Sequence, residues 1–239
     1  MNWQKRWFNE DYLLLYSSRN AEEALAQVDF ISKVLSLSPC ERLIDIGCGS
    51  GRHDFLLAKM GLIVVGVDQS KTLINEAKKR LDQENLPNLS FFESSIESFK
   101  SNEPFDVALS LFTSFGYFQE NSENINILKA IRSQLRIGSR FFFDYLNPCF
   151  VKKHLISEEV KVIAGKTAHI KRWVDHDTVI KEIRISNKCY REEVKLYGKN
   201  QLLNFLQNTG FEIQKTYGSY EGEKLTESSE RQIFFSIAR

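Results

Sequence analysis

The sequence predicts an α/β fold: a parallel sheet covered on both faces by helices, with a small antiparallel insert. Three observations predict it. Near-continuous apolar strands alternate with helical stretches over residues 42–146, the pattern of parallel strands buried on both faces. The first of those strands runs directly into a glycine loop, Gly47-Cys48-Gly49-Ser50-Gly51, and then a helix. Near residue 150 the rhythm changes to short alternating stretches, the period of strands with one buried face.

Taken in order, residues 1–37 read as a helical cover. Asn20 followed by Glu23 fits a capping box with Asn as the cap. Beyond it Ala24, Leu25, Val28, Ile31 and Leu35 recur at helical spacing. Trp3 and Trp7, four residues apart, are expected to pack this cover. Strands follow at 42–46, 63–67, 89–92, 105–111 and 140–146, with helices from Gly51, from Ser70 and over 121–135. The prolines at 39, 87, 104 and 148 fall at the edges of these segments, where proline is tolerated. In the insert, Ile183 and Ile185 alternate with Glu182 and Arg184, and Asp175-His176-Asp177 forms a turn. A helix over 199–208 stops at Gly210, and strands at 211–217 and 232–238 close the chain, joined by the polar stretch 221–230. The expected organisation is a cover (1–37), a core (38–149 and 199–239) and an insert (150–198).

Composition bounds the function. The chain has 239 residues, of which 42% are apolar, and a net charge of +1, so it builds a core rather than a disordered chain. Charge balance removes the strong pull expected of a nonspecific nucleic-acid binder. No apolar run reaches the ~18–20 residues of a membrane span, and the first residues lack the features of a signal peptide. Cysteines 40, 48, 149 and 189 form no CxxC pair and no zinc spacing, which points to a reduced, cytoplasmic compartment and no metal site.

The chemistry concentrates around the glycine loop. Glycines allow a sharp turn and close approach of backbone to a ligand, and the helix beyond offers free N–H groups. Asp45 ends the preceding strand, and a second strand ends in Val67-Asp68, where an acid can accept hydrogen bonds from both hydroxyls of a ribose. A dinucleotide site would want glycine at the sixth position of G-x-G-x-x-G, to let helix and strand pack tightly; here it is Arg52. A nucleoside with an amino-acid tail fits better, since it needs the turn without a pyrophosphate cradle.

These residues resemble the class I S-adenosylmethionine-dependent methyltransferases. The resemblance also covers strand 105–111 with its aromatic exit, Phe112-Thr113-Ser114-Phe115-Gly116-Tyr117-Phe118, and Leu15-Tyr16…Arg19 near the start. It is nearest to bacterial small-molecule-type members with a helical cover and an antiparallel insert after strand five. The resemblance implies a Rossmann-like, doubly wound, seven-stranded sheet with its last strand antiparallel. It implies S-adenosylmethionine as cofactor and methyl transfer to an N or O atom of a small-molecule acceptor. By the same resemblance Gly47, Cys48 and Gly49 pass under the methionine part and ribose, beside Asp45. Asp68 holds the ribose hydroxyls and Gln69 lines the adenine. Ser95 stands where the family often has an acid on the adenine amine, and Ile96 packs on that ring. Leu111 and Phe112 reach the methionine part, and Tyr16 and Arg19 its carboxylate, for which an Arg fork is suited.

On the acceptor side Tyr117, Tyr145 and Asn147 are candidates, with Phe112, Phe115, Phe118 and Asp144 around them. Capping of the strand exit is an equal reading for Asp144, Tyr145 and Asn147. His53 reads as a surface or supporting residue, and Tyr117, His169 and His176 as guesses for the base a hydroxyl acceptor would want. Two other classes stay open: a silent cofactor-binding or scaffold protein with the same fold, and a nicotinamide oxidoreductase, which Arg52 disfavours. The sequence leaves the oligomeric state open.

Overall fold

A computed structural model describes residues 3–16, 21–112 and 114–239. Two sheets make up its β structure. The seven-stranded sheet contains β1 (Arg42–Ile46), β2 (Ile63–Asp68), β3 (Leu89–Glu93), β4 (Phe105–Ser110), β5 (Leu135–Leu146), β10 (Phe211–Tyr217) and β11 (Arg231–Ala238), in the spatial order β10-β11-β5-β4-β1-β2-β3. The four-stranded sheet contains β6 (Glu158–Ile163), β7 (Lys166–Asp175), β8 (Thr178–Ile185) and β9 (Lys188–Lys195) in sequence order. Strands β1 to β5 pair in parallel. β11 runs antiparallel between β5 and β10. The predicted α/β class, the antiparallel last strand and the separate antiparallel insert are all present.

Helices cover the large sheet. α3 (Ala21–Leu35) and α4 (Asp54–Lys59) bury Val28, Ile31, Leu35, Phe55 and Leu57 with β-strand residues Leu43, Val64 and Val107. α5 (Lys71–Glu84) adds Ile74 and Ala77 to that face. α6 (Asn121–Ser133) and α8 (Lys199–Asn208) fill the opposite face with Leu128, Ile131, Leu202 and Leu206 against Phe141 and Phe143. No helix among the described residues is long and apolar enough to cross a membrane.

Two element starts and one whole helix depart most from the sequence reading. The helix after the glycine loop starts at Asp54, because residues 51–53 are still turning and Gly51 sits at φ +80°. β5 starts at Leu135, before a left-handed Gly138 (φ +84°) that the periodicity hides. α7 (Pro148–His154) stands where no element is expected. Asn147 caps it by accepting from the Cys149 N–H at 3.2 Å, and proline fills its first turn. It buries no residue, so it leaves no apolar period to read. The Asn20 cap lies outside the described residues.

The start of the chain rests on the insert. α1 (Gln4–Trp7) and α2 (Glu10–Leu15) put the fully buried Trp7 and the buried Leu15 into one cluster with Ala168, Ile170, Ile183, Ile185 and Tyr190. The same contact is tied by polar groups: Tyr190 donates to Asp11 at 2.6 Å, and Lys188 reaches that carboxylate at 3.0 Å. Those partners hold the Asp11 carboxyl below its usual range, the Tyr190 hydrogen bond first.

Candidate functional site

The parallel strands β1 to β4 all deliver their carboxyl ends to one cavity of about 400 Å³, the position where open α/β sheets bind ligands. Its floor is the glycine loop. Gly47 and Gly51 are filled around by protein: a Cβ on the first would lie 2.3 Å from Ser114 Oγ, and one on the second 2.5 Å from the Phe91 ring. A Cβ on Gly49 would meet only Leu73, at 3.9 Å. With φ +59° as well, Gly49 is the point where bare backbone faces the cavity.

Asp68 is fixed beside it. Its Oδ2 accepts from the Gly49 N–H at 3.0 Å and its Oδ1 from the Ser70 N–H at 2.8 Å. Ser70 caps α5 by accepting from the Leu73 N–H at 3.1 Å, so Asp68 is not needed for that task. Burial raises the Asp68 carboxyl above its ordinary value, against the pull of the two N–H donors. Deeper in, Asp45 and Asp54 form a buried carboxyl pair. Burial pushes both up, Asp54 to about 7, and Asp45 further through its neighbour's charge. Burial also pushes up the Cys48 thiol, with the charges of Asp54, Asp68 and Asp45 adding to it, so it is not a ready nucleophile.

The side wall is Leu111 and Phe112, leaving β4. Phe112 adopts φ +52°, a left-handed conformation in a bulky residue. His53 stacks on its ring at 5.5 Å, and the Arg52 guanidinium carbon lies 5.0 Å from the ring centroid. The sequence reading gave Arg52 no place in the site and took His53 as a surface or supporting residue; His53 is buried and bonded to Gln27 at 2.9 Å, and both line the cavity.

The roof is aromatic. Phe8, Tyr12 and Tyr16 reach the cavity from the start of the chain and Tyr117 from the segment after β4. Phe8 lies 5.0 Å from Tyr12 and 6.0 Å from Tyr117, and Tyr12 lies 4.6 Å from Tyr16. Lys181 of β8 donates to the Tyr16 hydroxyl and lies 3.6 Å from Glu192 of β9. Phe8, Tyr12 and Tyr16 recur every four residues, a spacing that could have marked one face.

Of the residues singled out from sequence, Tyr16, Asp45, Gly47, Cys48, Gly49, Asp68, Gln69, Ile96, Leu111, Phe112 and Tyr117 all line this cavity. Ser94 lines it in place of Ser95, whose hydroxyl bonds to Ser98 Oγ at 3.1 Å within a turn. Tyr145 and Asn147 stand elsewhere. Tyr145 is fully buried and donates to the Lys195 carbonyl. Asn147 donates to the carbonyls of Thr226 at 3.0 Å and Ser229 at 2.6 Å. Both side chains are engaged by the backbone of other segments, so neither is on the cavity wall. His169 and His176 lie exposed on the insert. Arg19 and Thr113 lie outside the described residues.

Residues 37–210 match the family model described as a methyltransferase domain. The cypemycin N-terminal methyltransferase of Streptomyces sp is 24% identical over 210 residues, 80% of either chain. An S-adenosylmethionine-dependent methyltransferase from Clostridium acetobutylicum superposes with a TM-score of 0.80 at 17% identity, covering 95% of both chains. The sugar N-methyltransferase KedS8 from Streptoalloteichus sp superposes with a TM-score of 0.75 at 18% identity, covering 97% of this chain and 94% of that one.

Proposed function

We propose that this chain, which belongs to the methyltransferase-domain family, is an S-adenosylmethionine-dependent enzyme that methylates a nitrogen atom of a small polar acceptor. When bound, the cofactor supplies a methyl group already activated by its sulfonium sulfur. The cavity suits that molecule: bare backbone at Gly49, a fixed carboxylate at Asp68 and apolar Ile96 line one continuous space with the aromatic roof.

In this reading Asp68 accepts from the ribose hydroxyls while the Gly49 and Ser70 N–H groups hold its orientation. Gln69, Ser94 and Ile96 enclose the adenine. Gly47, Cys48, Leu111 and Phe112 flank the methionine part, beside the Asp45–Asp54 pair. Tyr16 and Arg19 serve the carboxylate, and Arg52 also lines the cavity, over the Phe112 ring.

The aromatic roof carries the choice of nitrogen. Ring faces attract cations, and an amine becomes cationic as it gains a methyl group. Phe8, Tyr12, Tyr16 and Tyr117 line the cavity together. A hydroxyl acceptor would want a base at the site. Burial, and then the Glu192 charge, pushes the Tyr117 phenol well above its usual value, so it stays protonated at neutral pH. An amine needs only to arrive unprotonated. The N-terminal and sugar N-methyltransferases that resemble this chain are named for nitrogen acceptors. The cover and the insert would enclose the acceptor and exclude water.

The test is label transfer from methyl-tritiated S-adenosylmethionine to amino sugars and amino-acid amides, each beside its hydroxyl analogue. Labelling of amines with the matched hydroxyl compounds silent is the expected result. Labelling of the hydroxyl compounds alone would overturn the choice of nitrogen. Failure of S-adenosylhomocysteine to bind in calorimetry would overturn the cofactor site.

A further inference from the structure

Phe112 is held in place by residues far away in the sequence. Its left-handed peptide donates N–H to Asp144 Oδ2 at 3.0 Å. Asp144 is fully buried in β5, and two further groups bind its carboxylate. Tyr220 donates its hydroxyl to Oδ2 at 2.9 Å, and Arg231, at the start of β11, donates Nε to Oδ1 at 2.7 Å. The same two residues also meet the Phe112 side chain. The Tyr220 ring lies 6.0 Å from it at an interplanar angle of 12°, and the Arg231 guanidinium carbon lies 5.9 Å from its centroid. Tyr220 belongs to the connection between β10 and β11, whose far end Asn147 ties down through Thr226 and Ser229.

A bulky non-glycine residue at positive φ is strained and persists only where its surroundings over-determine it. Here they do, and the strained residue is on the wall of the cavity. The adjoining wall depends on it. Ser114 Oγ donates to the Leu111 carbonyl at 3.0 Å and sits against Gly47 of the floor. A shift of the Phe112 peptide therefore displaces Leu111, Ser114 and the loop beneath them together.

We propose that Asp144, Arg231 and Tyr220 are positioning residues for the methyl transfer, locking the Phe112 peptide so that the wall beside the methionine part keeps one geometry. The proposal rests on the cofactor reading of the cavity. It gives the connection between β10 and β11 a task in catalysis although it makes no wall of the cavity. It also makes Asp144, near the end of β5, a support for the wall rather than an acceptor contact.

The test uses the full chain and S-adenosylhomocysteine as probe, with Phe112→4-fluorophenylalanine as a reporter in each background. Arg231→Met should weaken binding about tenfold in calorimetry and split or broaden a fluorine resonance that is single in the parent. Arg231→Lys keeps a donor and should recover most of the affinity, a rescue that lost packing alone would not give. Tyr220→Phe keeps the ring and removes one hydrogen bond; a threefold loss is expected, and this variant decides the matter if Arg231→Met does not fold. Folded variants that bind within twofold of the parent and keep one unchanged fluorine resonance would overturn the proposal. Failure of the parent chain to bind the probe would instead overturn the cofactor reading.

Discussion

Floor and roof of the cavity are built on different principles. The floor is main chain: Gly49 and Ser70 N–H groups fix Asp68, and the parallel ladder between β1 and β2 sets their spacing. The roof is side chains: Tyr117 from the segment after β4, and Phe8, Tyr12 and Tyr16, which pack on the core that the start of the chain shares with the insert, where Trp7 and Leu15 are buried. A floor made of hydrogen-bonded backbone is pre-organised. A roof made of packed rings is only as firm as the contact between cover and insert, because local stability follows buried area and contact density.

The comparison can be broken most strongly at Trp7. Trp7→Ala removes a fully buried ring and should cost about 3–5 kcal/mol where its cluster cannot collapse. Hydrogen exchange should then rise first over residues 3–16 and 166–195 while β1 and β2 keep their protection. Equal loss of protection in both regions would mean that roof and floor are a single unit.

Asp68→Ala attacks the floor. Two charge-assisted hydrogen bonds to the ribose, each about 1.5–3 kcal/mol, would go. Calorimetry should show at least tenfold weaker S-adenosylhomocysteine binding with little change in melting temperature. Unchanged affinity in the folded variant would detach Asp68 from the cofactor.

The carboxyl pair sharpens the comparison through pH. Asp54 titrates at about 7 in the fold, against 3.8 ordinarily, because it is buried. Between those values the folded chain holds more protons than the unfolded one. Stability therefore falls as pH rises through that window. The melting temperature of the chain without cofactor should drop from pH 5 to pH 8, and Asp54→Asn should flatten that slope. A parent curve as flat as the variant's would place the pair in contact with water.

The smallest effect is expected from Lys181→Met. Lys181 supports Tyr16 from the insert side, and Tyr16 serves the cofactor's carboxylate in the proposed reading, so S-adenosylhomocysteine affinity and methyl transfer should each fall about twofold to threefold. Unchanged affinity and transfer would mean that the insert does not hold Tyr16 for its task.

The same division decides what was legible in the sequence. Gly47, Gly49 and Asp68 are demanded by backbone geometry and by one hydrogen-bonding role, so type and spacing expose them. Strand order came from the resemblance, since periodicity says nothing of neighbours. Arg52 reads only as a missing glycine, and His53 as a surface or supporting residue, because nothing local shows that Phe112 lies against them. Lys181 meets the cover at Tyr16 from 165 residues away, with Glu192 of the insert beside it. Tyr145 and Asn147 carry the right chemistry at a strand exit, yet their partners, the Lys195 carbonyl and the 226–229 backbone, are visible only in three dimensions.

The position of β11 has a consequence for biosynthesis. It lies between β5 and β10, pairing with residues 140–146 on one side and 211–217 on the other. While a ribosome is still decoding residues before 231, β5 has an open edge that carries Phe141, Phe142 and Phe143. Such an edge invites pairing with another nascent chain. β1 to β4 can meet as they emerge, but this half of the sheet must wait. A translational pause before residue 231 should therefore raise aggregation and chaperone capture far more than a pause between β3 and β4.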